Sequence, residues 1–495
     1  MNGIREYSRW LVWILIAAPF SIPVAMGQDR PSLLFLLADD QRADTIGGWG
    51  NRNIRTVHLD RLVQQGMSFR KAYCMGSIHG AVCVPSRAMI MGGRTLFRSN
   101  MKLEGQTTFP QLLGEAGYRT FGTGKWHNGQ SSFARSFQES GNVMFGGMSD
   151  HSRVPIHDQQ PDGSFAGPRN ADGFSSTLFA DAAIGFLESC DGEQPFFCYV
   201  AFTAPHDPRM PPPPWDELYR KDPPPLPANF MPQHPFDTGQ MAIRDEVLAD
   251  WPRTEPVIRD QLAEYYGMIS QMDQQIGRIL KVLDDRDLSE NTIVVFAADH
   301  GLAMGSHGLL GKQSLYEHSM LAPLIIRGRR IAENSECQEL VYLHDLYPTF
   351  CEYAGVKPPQ DAEGSSLRPL LEGRGEPIRD SLFTAYAKYG RALRDGHWKL
   401  IRWPQVNHTQ LFNLAKDPHE LENLAGDPAY RGQVDRMLGK LVDWQLATND
   451  WQPLWVAGGR AEPVDLNSVN RKPDRWQPRW IVDKYFGDEE TDGKK

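Results

Sequence analysis

The sequence predicts an α/β fold: a large, mostly parallel mixed sheet flanked by helices, followed by a smaller C-terminal subdomain built on an antiparallel sheet. Three observations carry that expectation. Short, continuous apolar runs at residues 31–37, 195–204 and 292–298 have the composition of strands buried on both faces. Segments with helical spacing separate them, at residues 59–67, 109–117 and 258–283. Beyond about residue 377 the pattern changes to strand-length segments at 381–386, 390–395 and 398–403, with turns at Lys388-Tyr389-Gly390 and Gly396.

At the N-terminus, Arg5 and Arg9 precede an apolar run over residues 10–20, and Ala25-Met26-Gly27 offers small residues for cleavage. Residues 1–27 therefore read as a secretory signal peptide, too short and proline-broken for a membrane span of roughly 20 residues. With no cysteine near the cleavage point, a lipid anchor is not expected, so the mature chain should be periplasmic or secreted with no stable membrane anchor. Export places Cys74, Cys190, Cys198, Cys337 and Cys351 in an oxidising compartment, and their spacing leaves any pairing open. The catalytic domain is expected over residues 28–376, the C-terminal subdomain over 377–487 and a disordered charged tail over 488–495. Within the first of these, residues 211–256 carry Pro211-Pro212-Pro213-Pro214 and Pro223-Pro224-Pro225, the mark of an extended surface insertion.

The chain is 41% hydrophobic and 23% charged, as in a folded globular protein, and its net charge of −9 argues against nucleic acid as a partner. An anionic substrate would need a local basic pocket to overcome that field. The candidates for chemistry lie at strand ends. Asp39 and Asp40 close the first apolar run, and Asp299-His300-Gly301 closes the third, at the sheet edge where ligands of α/β proteins gather. Three carboxylates and an imidazole converging there would repel without a cation, and oxygen-rich ligation favours Ca²⁺ or Mg²⁺ over zinc. Cys83-Val84-Pro85-Ser86-Arg87, closed by Gly93-Arg94, sets a fixed positive charge beside a sulfur, and an arginine fork suits a tetrahedral oxyanion. In Gly122-Thr123-Gly124-Lys125-Trp126-His127, an extended backbone points Lys125 and His127 the same way. His206 follows Pro205 just past a strand, and Lys312 follows Asp299-His300 by about a dozen residues. Together these supply the basic pocket.

These motifs resemble those of the formylglycine-dependent (type I) sulfatases, in the alkaline phosphatase-like superfamily. The likeness runs from Pro31 to about Gly426 and rests on Cys83 to Arg87, Lys125 to His127, the Pro-His at His206, and Asp299 to Gly301. Gly92, where the family often has threonine, and His300, where some members have asparagine, are departures. The resemblance implies oxidation of Cys83 by a maturation enzyme to formylglycine, whose hydrated gem-diol is the nucleophile and forms a covalent sulfo-enzyme. It implies one Ca²⁺ (Mg²⁺ less so) held by Asp39, Asp40, residue 83, Asp299 and His300. Arg87 would help polarise the sulfuryl oxygens, and Lys125 and Lys312 would bind them. His206 would protonate the leaving group, and His127 would help expel sulfate. His79, four residues before Cys83, and Arg209, just after His206, are candidate substrate contacts. The expected substrate is a sulfated carbohydrate. Alternatives are an aryl or choline sulfate, a phosphomonoester or phosphonate on a related fold, or glycan binding without catalysis.

Overall fold

The computed structural model describes residues 30–465, 469 and 471–487. The signal peptide expected over 1–27 and the tail expected over 488–495 lie outside the described residues. The first nine strands considered are β1 (Ser32–Ala38), β2 (Met67–Phe69), β3 (Gly76–Ser77), β4 (Arg119–Lys125), β5 (Glu139–Met144), β6 (Phe196–Ala201), β7 (Thr292–Ala298), β8 (Leu324–Arg327) and β9 (Ser335–Cys337). All but β3 form one eight-stranded sheet in the order β9-β2-β8-β7-β1-β6-β4-β5. The run from β7 to β5 is parallel throughout, and β8 is antiparallel to both its neighbours.

The continuous apolar runs follow from burial on both faces. Leu33, Phe35 and Leu37 face one core, with Phe197, Tyr199 and Val295, while Leu34, Leu36 and Ala38 face another, with Cys198, Val200 and Phe296. Helices α1 (Val57–Gln65), α2 (Cys83–Gly92), α3 (Phe109–Glu115), α4 (Ser175–Glu188), α5 (Glu255–Asp285) and α6 (Leu346–Tyr353) cover the two faces. Residues of α2, α3 and α6 join the first core, and those of α1, α4 and α5 the second. Helix α5 is long because its apolar stripe serves two clients. Met268, Met272, Ile276 and Ile279 pack on the sheet, whereas Ile258, Leu262 and Tyr265 pack in a third cluster beneath the 211–256 stretch. That stretch forms few regular elements, yet Phe236, Met241, Asp245 and Glu246 within it are buried.

The C-terminal strands β10 (Ser381–Tyr386), β11 (Gly390–Asp395), β12 (Trp398–Trp403) and β13 (His408–Asn413) make an antiparallel meander, followed by helix α7 (Arg431–Thr448) and a short helix α8 (Arg479–Tyr485). The far edge of this sheet is β3, parallel to β10, so a strand from the N-terminal part completes it. All six cysteines are buried and unpaired. Among the described residues, no helix is long and apolar enough to cross a membrane.

One irregularity sets up the site. The β4–β5 register shifts between Thr123 and Gly124, a bulge just before Lys125. Gly124 has φ +86°, and a Cβ there would lie 2.0 Å from the Ala201 carbonyl oxygen, so only glycine fits. Gly117 has a similar φ of +90° but open space around it. Gly124→Ala is therefore expected to lose at least about 2 kcal/mol of stability, and Gly117→Ala about 1 kcal/mol. Urea unfolding of both variants checks this; equal losses would show that the Ala201 carbonyl does not dictate the glycine.

Candidate active site

Strands β1 and β7 pair in parallel with Ala38 opposite Ala298, so the residues that follow them emerge side by side. Asp299 N donates to the Ala38 carbonyl oxygen (3.2 Å), and Asp40 N donates to Asp299 Oδ1 (3.1 Å). Asp40 sits at φ +68°, a strained backbone for a non-glycine residue, and Tyr265 of α5 holds it there by donating to its carbonyl oxygen at 2.6 Å. The three carboxylates Asp39, Asp40 and Asp299 are buried together.

Helix α2 brings the cysteine to this edge. Cys83 is its first residue, where the helix dipole favours negative charge. Ser86 Oγ donates to the Asp299 carbonyl oxygen (2.6 Å), and Arg87 Nε donates to Asp299 Oδ2 (3.0 Å). Arg87 also donates through Nη1 to the Lys125 carbonyl oxygen (2.7 Å) and sets Nη2 3.5 Å from Asp39 Oδ1. Serine and arginine at these helix positions thus bolt α2 to the carboxylate edge. Arg87 is fully buried behind the carboxylates, so the geometry makes it a clamp on Asp39 and Asp299 instead of the oxyanion fork expected from its place beside the sulfur.

Around Cys83 Sγ stand His127 Nδ1 at 3.4 Å and Lys125 Nζ at 3.6 Å. Lys125 Nζ also meets Asp39 Oδ2 at 2.5 Å, and Lys312 Nζ reaches Asp40 Oδ2 at 2.7 Å. Burial pushes the Cys83 thiol up, but Lys125, His127 and Lys312 outweigh it and hold the thiol well below its usual range. Although burial pulls His300 down, Asp299 and Asp40 push it up to about 9. His300 Nε2 lies 3.3 Å from Asp40 Oδ1 and 3.6 Å from Asp299 Oδ1. Ligand atoms of Asp39, Cys83, Asp299 and His300 all fall within 4.8 Å of one another, as a metal site requires. Asp40 is not in that tightest group but borders it through His300 and Lys312.

His206 enters from the end of β6. Its Nδ1 lies 2.8 Å from the Asp207 carbonyl oxygen, and its Nε2 points towards Asp40 Oδ2 at 3.7 Å. The structure therefore brings Asp39, Asp40, Cys83, Arg87, Lys125, His127, His206, Asp299, His300 and Lys312 to one edge. His79 is exposed on the loop leading into α2, its Nδ1 accepting from Ala81 N at 3.2 Å. Arg209 goes elsewhere: it is buried and donates to Gln261 of α5, because the chain turns behind His206. Sequence reasoning missed Asp207, Arg244 and Asp245. Burial pushes Asp207 up, yet the Arg244 guanidinium, 2.6 Å from its Oδ1, holds it well below the usual carboxylate range. Asp245 Oδ2 lies 3.8 Å from Lys312 Nζ. Asp207 carried a signal, since it directly follows the histidine; Arg244 and Asp245 lie in the proline-rich stretch with no motif around them.

Comparison with known proteins places the chain in a family. The model of the sulfatase family matches residues 31–356, and that of the N-sulphoglucosamine sulphohydrolase C-terminal region matches residues 305–447. An N-acetylglucosamine-6-O-sulfatase of Bacteroides thetaiotaomicron is 25% identical, over 86% of this chain and 88% of its own. A Δ4,5-hexuronate-2-O-sulfatase of the same organism is 27% identical, over 86% and 91%. Among solved structures, one determined in complex with its substrate D-glucosamine-2-N,6-O-disulfate superposes with a TM-score of 0.75 at 24% identity, covering 86% of this chain and 99% of that one. The chain belongs to the sulfatase family and is a sulfuric ester hydrolase.

Proposed function

We propose that the chain is an exported sulfatase that removes a sulfate ester from a sulfated carbohydrate, using residue 83 after a maturation enzyme has oxidised its cysteine to formylglycine. The observation that carries this reading is the setting of Cys83 Sγ: a helix N-terminus, 3.4 Å from His127 Nδ1, 3.6 Å from Lys125 Nζ and inside the Asp39–Asp299–His300 group. A cysteine kept for packing needs neither the lysine nor the imidazole. The hydrated aldehyde would supply an oxygen nucleophile and, in its second hydroxyl, the means of releasing sulfate. Export rests on the basic, apolar and small-residue pattern of residues 1–27. The carbohydrate rests on the two Bacteroides relatives, whose names specify sulfated sugars.

The donor set fits a hard divalent ion. Asp39 Oδ1 and His300 Nε2 are buried and make no hydrogen bond, which is costly for polar atoms with nothing further to do. Asp39, Asp40, residue 83, Asp299 and His300 would hold Ca²⁺, which suits a carboxylate-rich, irregular site better than Mg²⁺ does. When bound, the ion supplies positive charge against which negative charge on the sulfuryl oxygens is stabilised.

The other roles belong to side chains. Lys125 and Lys312 bring two charges into a buried site, and their carboxylate partners keep them protonated against desolvation. They would orient the sulfate oxygens as point charges. Because the Asp207 carbonyl oxygen can only accept, His206 Nδ1 carries one proton, and in the imidazolium the second, on Nε2, is the one that would pass to the departing oxygen. His127, on the other side of residue 83, would take a proton from it. Arg87 would keep Asp39 and Asp299 in register for the ion.

Three outcomes are expected. After co-expression with a maturation enzyme, mass spectrometry should find formylglycine at residue 83, and Cys83→Ala should lower kcat by at least ~10³-fold; full activity with an unmodified thiol would sink the mechanism. His206→Ala should slow a sugar sulfate by about 10²–10⁴-fold but an activated aryl sulfate far less, and equal losses would remove it from the acid role. Chelation should abolish activity and lower the thermal midpoint, with Ca²⁺ restoring both better than Mg²⁺; a midpoint indifferent to chelation would count against the ion.

A further inference from the structure

The ring of His206 is held from behind by a chain of contacts that starts buried at Asp207 and ends, half-buried, far away in sequence. The Asp207 carbonyl oxygen accepts from Nδ1, and the Asp207 carboxylate lies 3.4 Å from the same atom. That carboxylate is itself gripped by a fork. Arg244 Nη1 donates to Oδ1 at 2.6 Å and Nη2 meets Oδ2 at 2.5 Å, a bidentate pairing that fixes the carboxylate plane. Gln477 Nε2 adds a third hydrogen bond, to Oδ2 at 3.0 Å. Arg244 in turn donates through Nε to Asp474 Oδ2 at 2.7 Å and through Nη1 to Asp245 Oδ1 at 3.1 Å.

Asp474 and Gln477 belong to residues 471–487, beyond the C-terminal sheet and α7. That segment is tied down independently of the site. Arg471 donates to the Val247 and Tyr485 carbonyl oxygens, at 3.1 and 2.6 Å. Lys484 meets Glu264 at 2.6 Å and Tyr485 Oη donates to Asp260 Oδ2 at 2.5 Å, both partners lying on α5. The segment therefore acts as a strap laid over α5 and the 244–247 stretch, and its near end closes on the residue next to His206.

We infer that Asp474 and Gln477 are positioning residues for His206, acting through Arg244 and Asp207. Arg244 faces three carboxylates, Asp207, Asp245 and Asp474, and without Asp474 its fork is free to turn towards Asp245. Asp207 would then swing on its backbone towards Nδ1, and the ring would lose the orientation that aims Nε2 at the leaving group. Neither strap residue touches the cluster around Cys83, and the contact from Asp245 to Lys312 is long, at 3.8 Å, so sulfate binding and nucleophilic attack should change little. Proton delivery should suffer most.

This inference rests on the proposed acid role of His206, and the experiment separates the two. Asp474→Asn, Asp474→Glu and Gln477→Ala are assayed beside His206→Ala on a sugar sulfate and on an activated aryl sulfate. Asp474→Asn and Gln477→Ala are expected to lower kcat on the sugar sulfate by about tenfold, with KM and the aryl sulfate rate held within about twofold. Asp474→Glu, which keeps the charge, should recover most of the loss. Equal losses on both substrates, a loss confined to KM, or kcat on the sugar sulfate unchanged in both Asp474→Asn and Gln477→Ala would overturn the positioning role. A wild-type protein inert towards every sulfate ester would instead bring down the proposed function itself.

Discussion

Everything in this site depends on a charge balance that two parallel strands impose. Because β1 and β7 pair in register, the residues after them cannot avoid one another, and both strands are followed by aspartate. Three carboxylates in a dry edge cost several kcal/mol apiece unless each is answered by opposite charge. Arg87 answers Asp39 and Asp299 from the helix side, Lys125 answers Asp39, and Lys312 answers Asp40. These are the side chains to which the proposed chemistry gives roles, so folding and the proposed function make the same demand. The requirement also explains why Cys83 is electrostatically unlike the other five cysteines. Burial raises Cys74, Cys190, Cys198, Cys337 and Cys351, while the surplus of cations around Cys83 takes its thiol the other way.

Much of this was legible in the sequence where one local pattern had one physical cause. The limits of β7 and of the first three C-terminal strands agree with their apolar and turn patterns, because burial on known faces writes itself into composition. Strand β13 was missed because His408, Thr409 and Gln410 dilute its apolar signal, and β3 because two residues carry no period. In the site, the residues at strand and helix ends were readable because their backbone fixes where they point. Arg209 was misjudged for the opposite reason: nearness to His206 in sequence says nothing once the chain turns and buries it against Gln261. Arg87 contacts Asp39, Asp299 and the Lys125 carbonyl oxygen, partners that its place beside the sulfur in the sequence does not reveal.

The remaining contributors come from segments with little regular structure. Arg244 and Asp245 lie in the proline-rich stretch, and their partners are fixed by tertiary packing on α5 that no spacing rule encodes. The layout divides labour. Strand and helix ends place the groups around Cys83 on rigid elements, and irregular segments place those around His206. Loops tolerate change where strands buried on both faces do not, so the family chemistry can stay while the outer wall is rebuilt.

Strand β3 has a consequence for the order of events in the life of the chain. Ser77 stands six residues before Cys83, yet its sheet partner is Tyr386 of β10, some three hundred residues later. The loop into α2 is thus held on its path by the C-terminal meander, and in the folded chain Cys83 is 2% exposed. A residue so enclosed offers little surface to a macromolecular catalyst. On the proposed oxidation of Cys83, a maturation enzyme would find the residue more open before β10 pairs with β3 than after it, which ties the activating step to the state of the C-terminal sheet.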